Sequence, residues 1–156
     1  MITKEELEID KYNLDEEFMK QHMYVDKVGT EHSLKVPELK DMAVALKDLQ
    51  NDLKTYEASL ELSIRRNPEN FNVKLTEKSV AALVQSDEER NRIFTSIINH
   101  QMDMNKLEGE VLVLDAKMKT LVDRREDLKG LLDLYKTDYY SGNDTLKQIK
   151  KSHTKG

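Results

Sequence analysis

Four cations stand close together near the middle of the chain: Arg65 beside Arg66, then Lys74 and Lys78. Guanidinium and ammonium groups in such a cluster can hold phosphate oxygens without reading bases, because phosphate contacts position a nucleic acid but carry no sequence information. Tyr56, Phe71 and Tyr139 could stack on unpaired bases if exposed. Each also has a plainer use, since Tyr56 belongs to an apolar stripe and Phe71 can plug a loop. Lys147, Lys150 and Lys151 form a second basic group in a terminal segment whose only acid is Asp144. That group suits either nucleic-acid contact or a solubilising tail. The pair Arg124-Arg125 reads as structural, because Arg125 interrupts an apolar seam and can pair with glutamates on a neighbouring helix.

Nothing comparable points to catalysis. His22, His32, His100 and His153 lie in separate segments, and His100 falls on the seam, where a core or interface role fits best. The chain has no cysteine, no glycine-rich phosphate loop, no paired-carboxylate motif and no zinc pattern. A binding protein without catalytic residue, metal or cofactor is therefore expected. Acidic residues number 30 against 25 lysines and arginines, for a net charge of −5. This weighs against a surface coated with phosphate contacts, yet long helices can still segregate charge by face. No apolar run approaches the length of a membrane span or a signal-peptide core.

The elements that position these residues are helices. From Ile93, apolar residues return at spacings of four and three: Ile93, Ile97, Met104, Leu107, Val111, Leu114, Met118, Leu121, Leu128 and Leu132, then Tyr135. Only His100 and Arg125 interrupt this heptad seam, which predicts a long coiled-coil-like helix over about residues 86–140. Ser86 followed by Glu89 reads as a capping box at its start. A second stripe, Leu39, Met42, Leu46, Leu49, Leu53, Tyr56 and Leu60, predicts a helix over about 37–66. Pro37 would lie near its beginning and Asn67-Pro68 at its end. Residues 1–30 read as an arm, with a helix start at Asn13 to Glu17, contacts from Phe18, Met19 and Met23, and a break at Gly29. Residues 67–85 read as a loop and a short helix presenting Val80, Leu83 and Val84, and 143–156 as a basic flexible tail. The fold class is all-α: an antiparallel helical hairpin in one domain over 1–142. The later helix, roughly twice as long as the earlier, would keep an unmatched section for partner subunits. The seam is thus assigned to core or oligomerisation.

Three stretches in this order resemble the UvsY family of phage recombination mediators. The first is Glu8-Ile9-Asp10-Lys11-Tyr12-Asn13-Leu14-Asp15-Glu16. The second is Ile64-Arg65-Arg66-Asn67-Pro68-Glu69-Asn70-Phe71, followed by Lys74-Leu75-Thr76-Glu77-Lys78 and Ser86-Asp87-Glu88-Glu89. The third is Leu128, Leu131-Leu132 and Leu134, with Tyr139-Tyr140-Ser141-Gly142. The likeness covers roughly residues 6–142. It implies a nonenzymatic loader in the cytoplasm of an infected bacterium, built as a ring of six or seven subunits. Such a loader binds single-stranded DNA without sequence preference, and its partners are a RecA-like recombinase and a single-strand binding protein. Family members place DNA-binding basic residues near the end of the first long helix, which here matches Arg65 and Arg66. Glu57-Ala58-Ser59-Leu60-Glu61 stands where a more basic segment would be expected. A phage coiled-coil scaffold or assembly protein without DNA binding is the alternative reading of the same heptads.

Overall fold

The computed structural model describes residues 2–72 and 74–141, with side chains as far as residue 137. Lys147, Lys150 and Lys151, the tail from 143 onward and the ring of Tyr139 lie outside what is described. The fold is all-α among the described residues. Helix α1 spans Leu14–Arg66, α2 Glu77–Ser86 and α3 Glu88–Ser141, with short 3-10 turns at Glu5–Leu7 and Pro68–Phe71. The chain forms two compact units: residues 1–34 with 111–156, and residues 35–110. In each, a stretch of α1 packs antiparallel against a stretch of α3.

Several boundaries differ from the sequence expectation. The arm helix and the first long helix are one element, because α1 passes through both Gly29 and Pro37 without ending. A helical glycine costs only about 1 kcal/mol relative to alanine, and proline about 3 kcal/mol. Tertiary packing, apolar at Tyr24 and Val28 and polar at His32 and Lys35, outweighs such local penalties, since most helix stability in proteins comes from tertiary contact. With α1 at 53 residues and α3 at 54, the later helix is not twice as long as the earlier. The difference in length on which an unmatched section for partner subunits rested is therefore absent.

In the first unit, Tyr24 and Val28 of α1 bury against Leu114 and Leu121 of α3, and Ile2 and Leu7 pack onto this cluster. Fully burying side chains of this size contributes roughly 1.5–3 kcal/mol each. The seam keeps its expected register from Leu107 through Val111 to Leu114, then changes. Leu121 and Leu128 stay buried, but Met118 is 38% exposed and Arg124, not Arg125, turns inward. Arg125 points outward, and its ion-pair partner among the described residues is Glu126 of its own helix. The expected pairing with a glutamate on the neighbouring helix is made by Arg124, which reaches Glu17.

Arg124 and Glu17 are both almost completely buried. Their ion pair lies inside a set of neutral acceptors. Arg124 also donates to Gln21 Oε1 at 2.9 Å and to the backbone oxygens of Glu17 at 3.3 Å and Leu7 at 3.0 Å. Gln21 Nε2 donates to the Leu121 carbonyl at 2.6 Å. Burying two charges is tolerated when most of their donors and acceptors are satisfied. Here four of the five Arg124 N–H donors are used, and Lys20 donates to the other Glu17 oxygen at 3.4 Å. Through Leu7, and through Tyr24 Oη donating to the Glu6 carbonyl at 3.3 Å, the network also ties the N-terminal segment down.

Candidate nucleic-acid interface

The predicted basic cluster lies in the second unit, where α1 ends and α2 begins. Asn67 precedes Pro68, whose ring disfavours helical backbone in the residue before it. Asn67 accordingly leaves the helix at φ −134°, ψ 63°. A 3-10 turn over Pro68–Phe71 follows, and Asn72 adopts a left-handed conformation at φ 52°, which asparagine tolerates better than most residues. Phe71 is half-buried in this turn. Helix α2 then starts at a capping box: the Thr76 hydroxyl accepts from the Ser79 amide at 3.1 Å, and the Ser79 hydroxyl accepts from the Thr76 amide at 3.0 Å.

A capping box was expected at Ser86–Glu89, but Ser86 is the last residue of α2 and donates its hydroxyl to the Leu83 carbonyl. The cap of α3 is Asp87, whose carboxylate accepts from the Arg90 amide at 2.9 Å. The same carboxylate accepts from Tyr56 Oη at 2.7 Å. Those two hydrogen bonds, the Arg90 amide first, hold the Asp87 carboxyl below the usual carboxylate range. Its acceptor role in turn raises the Tyr56 phenol. Tyr56 is therefore committed to positioning the α2–α3 junction. Arg90 adds a second link to α1 through Glu57 at 2.9 Å and lies over the Phe94 ring.

Arg65 makes the densest contacts at this end. Its Nη1 and Nη2 donate to the two carboxylate oxygens of Glu77 at 3.0 and 2.8 Å. Its Nε and Nη2 donate to Glu61 Oε1 at 3.1 and 2.9 Å. Glu77 is held below its ordinary pKa chiefly by the hydrogen bond from Arg65, and the Arg65 guanidinium is raised by Glu77 and Glu61. The Arg65–Glu77 contact joins the last turn of α1 to the first residue of α2. Arg66 therefore sits at the same end of the unit as Lys74 and Lys78.

Arg66, Lys74 and Lys78 are exposed, and none takes part in a salt bridge among the described residues. No hydrogen bond links the four cations to one another. Four cations share residues 61–78 with three carboxylates, Glu61, Glu69 and Glu77, so the local excess of positive charge is small. Behind Arg65 runs a groove of about 330 Å³ whose lining includes Glu57, Glu61, Arg65, Glu77 and Arg90.

The sequence reading overlooked Glu77 and Glu61 as partners of Arg65. The i to i+4 spacing of Glu61 and Arg65 on one helix was a usable signal. Glu77 lies across a turn and gave none. Ile64, fully buried immediately before the two arginines, was also missed, although it continues the four-three spacing from Leu60.

Most of the seam residues are spent inside the chain. Leu107, Val111, Leu114, Leu121 and Leu128 are buried, and Ile93, Ile97, Met104 and Leu132 are half-buried. Apolar side chains left exposed on α3 include Phe94, Ile98, Met102 and Leu112. No helix among the described residues is long and apolar enough to cross a membrane, and none of their side chains cluster as a metal-binding group. Compared with family models, curated proteins and solved structures, the chain matches none of them.

Proposed function

We propose that this chain is a non-catalytic binding protein that holds the backbone of single-stranded DNA at the α1–α2 end of its second unit. The observation carrying the proposal is the trio of exposed cations without salt-bridge partners among the described residues, Arg66, Lys74 and Lys78, gathered there beside Arg65. Contacts of this kind grip phosphates irrespective of base. The likeness to the UvsY family extends the reading: the bound strand would be handed to a RecA-like recombinase in place of a single-strand binding protein, by a ring of six or seven subunits. In such a ring the seam of α3 already serves the chain's own core. Subunits would meet through the exposed apolar positions Phe94, Ile98, Met102 and Leu112 instead. Ring assembly would multiply a weakly basic rim into a polyvalent one, which a chain of net charge −5 requires.

One observation favours the scaffold reading. Arg65 spends its donors on two carboxylates, as a structural clamp between α1 and α2 would. Binding of a fluorescent oligo-dT strand across a salt series, with mass measured in the same buffers, separates the two. The loader reading expects salt-sensitive binding by an assembled oligomer, weakened in R65A/R66A with the assembly intact. An oligomer that ignores the strand at low salt would overturn it and leave the scaffold.

A further inference from the structure

We infer that Glu77 acts as an internal stand-in for phosphate on Arg65, so that the strand must displace this carboxylate before Arg65 can join the binding surface. The inference rests on the single-strand reading above and adds its regulation. A guanidinium has five N–H donors in a fixed fork. The contacts to Glu61 and Glu77 use two donations from Nη2 and one each from Nε and Nη1. One donor remains, too few for the paired contact by which arginine takes a phosphate.

The two carboxylates differ in how they can leave. Glu61 lies one turn back on the same helix as Arg65, and its side chain is 47% exposed. Glu77 stands at the first position of α2 with its side chain 85% exposed. Among the described residues Arg65 is its one ion-pair partner. A rotation about its side-chain bonds puts Glu77 in water without disturbing the Thr76–Ser79 capping box. An arriving backbone phosphodiester can offer the same two-oxygen geometry and the same single negative charge. Glu77 is therefore the gate, and Arg66, Lys74 and Lys78 supply the first encounter.

The test compares E77Q with E69Q in oligo-dT binding across a salt series. Glu69 lies in the Pro68–Phe71 turn between α1 and α2, is exposed and has no ion pair among the described residues, so E69Q makes the same change in net charge without releasing Arg65. E77Q is expected to bind about two- to fivefold tighter than the wild type, the range set by an exposed ion pair. Its salt dependence should steepen by roughly 0.7 in the log–log slope, one added phosphate contact on a single strand. E69Q should leave that slope unchanged, and R65A/E77Q should lose the gain of E77Q. Circular dichroism establishes that each variant keeps its helix. Equal effects of E77Q and E69Q, or a gain that persists without Arg65, overturn the gate and leave strand binding standing. If neither the wild type nor any folded variant binds the strand, the single-strand reading and the gate fall together.

Discussion

Replacing Arg124 with methionine probes the buried network most directly. The substitution keeps much of the aliphatic volume but leaves the Glu17 carboxylate, about 2% exposed as a residue, without its buried cation, with only the partly exposed Lys20 still beside it at 3.4 Å. It also strips hydrogen bonds from Gln21 Oε1 and from the carbonyls of Glu17 and Leu7. Breaking a buried pair by removing one partner costs about 3–5 kcal/mol, because the surviving charge stays desolvated. Against a typical stability of about 5–15 kcal/mol, that is a large fraction. Urea denaturation followed by helical circular dichroism measures it, and hydrogen exchange localises it. Protection should fall around Gln21 to Val28 and Leu114 to Leu128, and residues 2–8 should become easier to cleave as the Leu7 anchor is lost. The double variant E17L/R124M removes both charges together and should recover most of the loss, since hydrophobic replacements of buried pairs are often neutral or stabilising. A loss below about 1 kcal/mol in R124M, or no recovery in the double variant, would refute the assignment of Arg124 to a desolvated ion pair.

Two further outcomes follow from the helices themselves. G29A should stabilise the protein by roughly 0.5–1 kcal/mol, read as a higher urea midpoint, because Gly29 is helical and a methyl group there meets nothing within 4 Å. Asp87 contributes stability that is present above its unfolded value near 3.8 and lost as pH falls through its lower folded value. Thermal melts taken from about pH 5 down to about pH 2.5 should show that acid-linked component in the wild type and lack it in D87N, which keeps a capping side chain without the charge. Identical acid dependence in the two proteins would mean that the Tyr56–Asp87–Arg90 junction does not govern it.

Four-three spacing specifies an amphipathic helix wherever it occurs, and here it located α3, the later half of α1 and the inward face of α2 without any tertiary knowledge. It did so because Leu, Ile, Met and Val at those positions have only one favourable place to go, away from water. The early half of α1 follows the same spacing, through Glu17, Gln21, Tyr24, Val28, His32 and Lys35, but it is written largely in polar residues. Read alone, such residues signal a solvated face and a helix that stops at Gly29. Only their partners give them a place on the inner side: Arg124 and the Leu121 carbonyl, then Asp115 for His32 at 2.8 Å and Glu110 for Lys35 at 3.0 Å. The basic cluster shows the same division. Residue types placed Arg65, Arg66, Lys74 and Lys78 near one another, since short stretches of chain connect them. That Arg65 is occupied by Glu77 was decided by the turn at Asn67 to Asn72, which brings the start of α2 back to the end of α1. Periodicity records which residues avoid water. Which charge meets which depends on distances that exist only after the chain has folded.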